Sequence, residues 1–371
     1  MTASSIGPAE LARRLAGLVV RVARVAVDVG AAPLADYPDG DRPTSTVRIG
    51  GVAATDGAAD GRRGEPVGCG ENVSFLPSEH AAFASLAAAL APRLAAAGAV
   101  SVATALDIVS EVAPPADRGG APSGPYARAA LEAALVDLAM RQAGLGLQAL
   151  AGVRTGALRV VRSLATGPEL GRRIAELRAT GYTGGLKLDV DPGWSRATRQ
   201  ALAGEAGIAI LDFKGRGDAE LVRDLADRFP TGVIFEDPPA AEARRRIARD
   251  APIEDLAAAA VAVGRGECLN LKAPRMGGPL AVLHAIALVA GAGAATDRAP
   301  GSVYLGGMWE VGAGRRQARQ LAALFCPDAP NDLAPHAPRT PDELAGILPI
   351  ALDVIGFGSA PPGGAEPGPR P

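Results

Sequence analysis

The chain has 371 residues, with 38 Lys plus Arg, 40 Asp plus Glu and a formal net charge of −2 at pH 7. This length exceeds what one hydrophobic core usually serves, so we expect one large domain and a smaller one. The balanced charge gives no electrostatic reason to expect nucleic acid or an anionic membrane surface as a partner.

The cysteines and the apolar segments indicate the compartment. Cys69, Cys268 and Cys326 are far apart and form no CxxC pair or disulfide framework, which suits a reducing cytoplasm. The first residues lack the charged and apolar regions of a signal peptide. The longest apolar run, near residues 283–292, is interrupted by His284 and is too short to span a bilayer. We therefore expect a cytoplasmic protein.

The first third of the chain predicts an antiparallel sheet followed by helices. Residues 18–30 and 45–52 alternate apolar and polar side chains, which is the period of a half-buried strand. Residues 68–75 complete a three-stranded meander. Residues 78–97 and 125–143 follow, and their length and apolar spacing predict helices.

From about residue 159, short apolar strands alternate with helical stretches. Strands are predicted at 159–163, 184–189, 207–213, 232–236, 246–250, 267–272 and 302–308, with a weaker one near 331–334. About eight such βα units favour a TIM-type barrel, although spacing alone leaves an open doubly wound sheet possible. Residues 359–371 are rich in Pro and Gly, and we expect a disordered tail there.

Ionisable residues follow the predicted barrel strands, at the ends where working residues of such barrels stand. Taken in chain order, the strand ends supply Lys187 with Asp189, Asp212 with Lys214, Glu236 with Asp237, then Asp250, Lys272 and Glu310. Carboxylates converging on one rim repel one another unless a cation lies between them. Ligation by oxygen alone favours Mg²⁺, and nearby lysines could accept a proton from the carbon beside a substrate carboxylate.

The order of these residues resembles the mandelate racemase/muconate lactonizing enzyme branch of the enolase superfamily. The resemblance rests on Lys–Asp–Glu–Asp–Lys at successive strand ends, a GG pair after the sixth strand and a Glu after the seventh. It implies an α/β fold, a modified TIM barrel of the (β/α)7β type with an N-terminal α+β capping domain. The capping domain would span 1–125 and be completed by about 341–358, and the barrel would span 126–340.

The resemblance also implies roles for individual residues. Asp212, Glu236 and Asp250 would hold Mg²⁺, with Mn²⁺ as a possible substitute. Lys272 would act as acid or base, Lys187 lies in the second-strand lysine motif, and Glu310 matches the glutamate after the seventh strand. A small-molecule carboxylate would bind between the rim and capping loops near 31–45 and 71–77, in a protein expected to form homo-oligomers.

Two departures from the family pattern leave alternatives open. The second strand reads KLD where the family has KxK, so either Lys187 reacts, or it steadies substrate and Asp189 replaces the base. Lys214 could supply the second base or could pair with a carboxylate. Only 14 positions separate Glu236 from Asp250, so we expect a stub for the fourth helix, its solvated face being residues 243–249. Asp237 and Glu254 are the alternatives to Asp250 as metal ligand.

The reaction expected is metal-dependent α-proton abstraction that gives an enolate, followed by racemisation or epimerisation, or by β-elimination. A dyad built on histidine is disfavoured, because His80, His284 and His336 end no predicted barrel strand. Cys268 is expected to be packed core. Two other functions remain: a metal-free Schiff-base lyase or aldolase that uses a barrel lysine such as Lys272, and a non-catalytic binding protein with this fold.

Overall fold

The computed structural model describes residues 5–34, 40–52, 65–112, 123–240, 242, 244–295, 303–335 and 338–358. The predicted tail at 359–371 and His336 lie outside these ranges. Within them, no helix is long and apolar enough to cross a membrane.

The N-terminal part is an antiparallel sheet with helices packed against it. Its elements are α1 (Pro8–Gly17), β1 (Val19–Pro33), β2 (Asp41–Gly51), β3 (Val67–Asn72), α2 (Pro77–Ala96), β4 (Ala99–Ser101) and α3 (Val102–Val112). The strand order is β3-β2-β1-β4, which contains the predicted meander. Helices α1 and α3 were not predicted, although α1 has a proline at its start and buries Leu11 and Leu15.

The elements of the C-terminal part alternate as the sequence predicts. They are α4 (Ser123–Gln142), α5 (Leu147–Ala151), β5 (Ala157–Arg159), β6 (Val161–Leu164), α6 (Leu170–Ala179), β7 (Gly185–Asp189), α7 (Arg196–Ala203), β8 (Ile208–Asp212), α8 (Ala219–Arg228), β9 (Ile234–Glu236), β10 (Arg246–Arg249), α9 (Leu256–Gly264), β11 (Cys268–Leu271), α10 (Ala273–Met276), α11 (Pro279–Ala295), β12 (Val303–Leu305), α12 (Ala313–Phe325), α13 (Pro341–Leu344) and β13 (Ile347–Pro349).

Strands β6 to β12 form one parallel sheet in chain order, and the segment predicted near 331–334 completes its closure. Asn331 bridges to Val160 beside β6, and Asp332 bridges to Gly306 beside β12, both in parallel orientation. The sheet is therefore a (β/α)7β barrel and not an open doubly wound sheet. Because the strands are parallel and in register, the ends of β7, β8 and β9 stand side by side.

The fourth unit differs from the prediction of a stub helix. Among the described residues between β9 and β10 there is no helix, and the connection starts with Asp237-Pro238-Pro239. Only positions 237–245 separate the two strands, fewer than the about 10–12 residues that a crossover with a helix needs. The interpretation of 243–249 as a solvated helix face was wrong. Arg246–Arg249 is a strand, and Arg245 is buried with its guanidinium on the carbonyls of Ala226, Phe229 and Pro230.

Helix α4 joins the two parts. A Cβ at Gly68 or Gly70 of β3 would come within 2.1 Å or 1.9 Å of the carbonyl oxygen of Ala134 or Ala130, so only glycine lets the strand approach the helix this closely. The predicted boundary at residue 125 thus falls inside a helix that packs on the N-terminal sheet, and the domain limits stay a prediction. The C-terminal return pairs β13 with β5, and Phe357 donates its N–H to Asp137 of α4.

Candidate metal and proton-transfer site

Three buried carboxylates meet where β8, β9 and β10 end. Asp212 and Glu236 are the last residues of β8 and β9, and Asp250 follows β10 directly. Each offers a carboxylate oxygen within 4.8 Å of the others. The structure therefore brings together the three residues predicted as metal ligands, including Asp250, whose short separation from Glu236 had left Asp237 and Glu254 as alternatives.

Asp237 has a different part in this arrangement. Its backbone is left-handed, with φ of 44°, and its carboxylate accepts the N–H groups of Asp250 at 3.1 Å and Ala251 at 2.8 Å. Arg275 donates to the Asp250 side chain and carbonyl oxygen, at 2.6 Å each. Asp237 and Arg275 thus hold Asp250 in place without the fourth helix. Glu254 is exposed and lies outside the three-carboxylate group that the structure forms from its described residues.

Lys187 lies among the carboxylates with its side chain 3 % exposed. Its Nζ atom is 2.5 Å from Glu236 Oε1, 3.2 Å from Asp212 Oδ2 and 3.4 Å from Asp332 Oδ2. Burial by itself lowers the pKa of the Lys187 ammonium, but these carboxylates outweigh burial and hold its pKa well above the ordinary value. The carboxylates around Lys187 therefore favour its charged form.

Glu236 is the most buried of the three carboxylates. Tyr304 donates its hydroxyl and Asn270 donates its amide, at 3.2 Å, to Glu236 Oε2. Burial raises the pKa of Glu236 to about 8 against the opposing effect of Lys187, and Asp250 and Asp212 add to the rise. Its negative charge is thus incompletely balanced by the protein.

The other two lysines stand at opposite ends of the carboxylate row. Lys214 Nζ is 2.9 Å from Asp212 Oδ2 and 3.1 Å from Asp189 Oδ1, and its side chain is 46 % exposed. Lys272 Nζ is 2.7 Å from Asp250 Oδ2. Although burial opposes it, Lys187 and Lys214 lower the pKa of Asp212, and Lys272 with Lys187 lowers the pKa of Asp250.

Glu310 is placed differently from the lysines. It is 1 % exposed, and its carboxylate turns back onto its own loop, where it accepts the N–H of Met308 at 2.8 Å. A Cβ at Gly307 would lie 2.8 Å from that carboxylate. Among the ion pairs of the described residues, Glu310 makes none with the three lysines or Arg275. Its predicted catalytic role therefore stays a prediction.

Sequence reasoning missed four residues of this cluster: Asn270, Arg275, Tyr304 and Asp332. A signal that could have strengthened the prediction is the use of lysine itself. The chain contains three lysines in all, among 38 basic residues, and all three lie in this cluster. Arginine serves as the cation everywhere else. Lysine differs from arginine in that its proton can be transferred near neutral pH.

The donor set suits a divalent cation. With all of them ionised, five carboxylates face four cations, which leaves one net negative charge before any ion or substrate binds; the groups are Asp189, Asp212, Glu236, Asp250, Asp332, Lys187, Lys214, Lys272 and Arg275. A divalent ion would change this to one net positive charge, which an anionic substrate would balance. Buried carboxylate oxygens are ligands of hard ions such as Mg²⁺ or Mn²⁺.

Comparisons with known proteins agree with this geometry. Residues 155–339 match the family model described as the C-terminal domain of a domain of unknown function, DUF8230. No curated protein matches the sequence. The fold is similar to that of a dipeptide epimerase from Enterococcus faecalis V583, with 18 % identity, a TM-score of 0.69 and coverage of 92 % of this chain and 99 % of the other.

Two further solved structures extend the similarity. One is an enolase-superfamily member from Listeria innocua, with 18 % identity, a TM-score of 0.68 and coverage of 92 % and 94 %. The chain has the enolase-superfamily fold. The other is the muconate lactonizing enzyme from Pseudomonas putida, with 19 % identity, a TM-score of 0.67 and coverage of 92 % and 97 %. The resemblance to this branch of the enolase superfamily is thus confirmed for the fold.

Proposed function

We propose that this protein is an enolase-superfamily enzyme that abstracts the α-proton of a small-molecule carboxylate with the help of a divalent metal ion. The observation that carries the proposal is the arrangement of the chain's three lysines around three converging carboxylates. Asp212, Glu236 and Asp250 would hold the ion. When bound, Mg²⁺ would polarise the substrate carboxylate and so acidify the neighbouring C–H bond.

The different surroundings of the three lysines support different roles for them. Lys187 is enclosed by the carboxylates of Asp212, Glu236 and Asp332, whose oxygens lie within 3.4 Å of its Nζ atom, so we assign it the role of orienting these acids. Lys272 and Lys214 end on opposite sides of the row, beside Asp250 and Asp212. We assign Lys272 as acid or base on one side and Lys214 as its counterpart on the other.

This assignment addresses the altered KLD motif. Asp189 occupies the position of the family's second lysine and accepts an ion pair from Lys214 at 3.1 Å. The proton-transferring amine would then have moved from the second strand to the end of the third, with Asp189 as its positioning partner. Bases on both sides of a substrate suit 1,1-proton transfer, so racemisation or epimerisation is favoured over β-elimination. The similar fold of a dipeptide epimerase is consistent with this preference.

The test is proton NMR in heavy water, which follows exchange at the α-carbon across amino acids, N-acyl amino acids, dipeptides and sugar acids. We expect exchange with Mg²⁺ and none with EDTA. Lys272→Arg and Lys214→Arg keep the positive charge but cannot release a proton near pH 7, so each should abolish exchange from one stereoisomer. Retained exchange of both stereoisomers in both variants would contradict the assignment.

Two further readouts need no substrate. Because lysine occurs only here, mass spectrometry after amine acetylation reports this site and the N-terminus alone; Lys214 should react faster than Lys272, and Lys187 should be protected. Borohydride trapping of a covalent adduct on Lys272 would instead support a Schiff-base lyase. If the folded protein binds Mg²⁺ but exchanges the α-proton of no compound in the panel, the result would support a non-catalytic binding protein.

A further inference from the structure

The N-terminus of α12 is held by a side chain from the N-terminal sheet. Glu71 of β3 accepts the N–H of Val311 at 2.7 Å, of Gly312 at 2.9 Å and of Gly314 at 3.0 Å. Helix α12 has glycine as its N-cap residue, without a side-chain cap, and has no acidic residue in its first turn. A carboxylate there satisfies donors that the helix cannot satisfy itself and balances the helix dipole.

The contacts of Glu71 extend to the loop between β12 and α12. This loop, residues 306–312, is called the seventh loop below. Its Trp309 adopts a left-handed backbone conformation, with φ of 67°, which is costly for a bulky residue and persists only when neighbouring contacts impose it. The backbone carbonyl oxygen of Glu310, next to it, accepts a hydrogen bond from Arg315 Nε at 2.7 Å. Glu71 and Arg315 thus fix the end of the loop from two sides.

The other end of the seventh loop borders the proton-transfer site. A Cβ at Gly306 would lie 2.8 Å from Lys272 Cε and 2.5 Å from Asn270 Oδ1. Asn270 in turn donates to Glu236. The backbone of the loop therefore forms part of the wall against which Lys272 lies.

From these contacts we infer that Glu71 is a positioning residue, which holds the seventh loop, and with it the wall beside Lys272, in place from the N-terminal sheet. The position of the seventh loop beside Lys272 then depends on the docking of the N-terminal sheet on the barrel. The relevance of this role to catalysis rests on the proposed function, but its test does not, because no turnover is measured.

The experiment uses the full chain with Trp194→Phe, which leaves Trp309 as the single tryptophan of the protein. In this background Glu71→Gln keeps the side-chain size but offers one acceptor oxygen where three N–H groups point, so at least one of them faces an amide NH₂. We expect a red shift of Trp309 emission, and chymotryptic cleavage at Met308 or Trp309 that is about tenfold faster or more, because the loop opens more often.

The matched control is Glu65→Gln, which removes an exposed glutamate of the same N-terminal part whose side chain is 52 % exposed. It should leave both signals unchanged. If Glu71→Gln lowers the melting temperature while Trp309 emission and loop cleavage stay at the control level, Glu71 is a structural residue only and the inference is overturned. Should that variant fail to fold, Thr44→Val tests the same carboxylate more gently, since Thr44 Oγ1 lies 3.5 Å from Glu71 Oε1. An unchanged loop there would likewise overturn the inference.

Discussion

Replacing Lys187 by methionine removes a buried cation that contacts three carboxylates at once. The substitution keeps the length and apolar stem of the side chain, so packing changes little, but Glu236, Asp212 and Asp332 lose an ammonium at 2.5–3.4 Å. Leaving buried carboxylates without their partner costs about 3–5 kcal/mol. We expect the metal-free Lys187→Met protein to be destabilised by about this amount.

A divalent ion should reverse most of this loss. Without the competing ammonium, the three carboxylates attract Mg²⁺ more strongly, and an ion that binds only the folded state stabilises it according to its concentration relative to Kd. Urea unfolding with Mg²⁺ and with EDTA measures both effects. Relative to wild type, we expect a larger gain from Mg²⁺ in Lys187→Met and about tenfold tighter binding or more, since about 1.4 kcal/mol corresponds to tenfold.

Lys214→Met is the matched control, because it deletes the same group at a position that is 46 % exposed. Because the Lys214 ammonium is half-exposed, water can partly replace it beside Asp212 and Asp189, so the metal-free control should lose less stability than Lys187→Met. Two results would refute the reasoning: equal stability of Lys187→Met and wild type in EDTA, or a smaller Mg²⁺ effect in Lys187→Met than in wild type.

Three more predictions follow from single contacts. Asp250→Asn should lose most of the rise in melting temperature that Mg²⁺ causes, whereas the exposed Asp328→Asn should keep it; an equal rise in both would exclude Asp250 as a ligand. Arg245→Met should cost about 2 kcal/mol in urea unfolding by leaving buried carbonyls unpaired, against little for the exposed Arg244→Met. Burial raises the pKa of Glu132 from 4.5 to about 7, so the stabilising contribution of this group is fully present below about pH 4.5 and is lost, by roughly 3 kcal/mol, as pH rises through 7. Glu132→Gln should remove this part of the fall, whereas other buried acids such as Glu236 keep theirs; the same slope in both proteins would contradict this cause.

The barrel could be predicted because its strands are short apolar runs separated by helical periodicity, a pattern that depends on local sequence. The sequence pattern of the eighth strand is less distinct than that of the other strands. In the structure this segment pairs only through single bridges, at Asn331 and Asp332. Among the described residues of the fourth unit there is no helix, where the sequence predicted a stub: the spacing of Glu236 and Asp250 predicted a short unit correctly, but the helix prediction was wrong.

The site could be predicted as far as strand ends determine it. Asp212, Glu236, Asp250 and Lys272 are each the last residue of a strand or next to it, so topology alone brings them to one rim. Which of Lys187 and Lys214 orients the acids and which transfers a proton depends on the direction and burial of their side chains, which the sequence does not specify. Asp332 reaches Lys187 from a position 145 residues further along the chain, because the barrel closes there. Such contacts have no local signal.

The left-handed backbone at Lys214, Asp237 and Trp309 has a consequence for engineering. Among the described residues these are the non-glycine positions with positive φ, and each follows a barrel strand at the rim. Strain of this kind costs of order 1 kcal/mol or more per residue, so a glycine at Lys214 or Trp309 would relieve it. Screens for thermostability would therefore tend to select substitutions at the rim. Such substitutions would loosen the loops that position the carboxylates and lysines of the site. Variants meant to withstand heat and still turn over substrate are better sought on the outer helices, and the rim should be kept as it is.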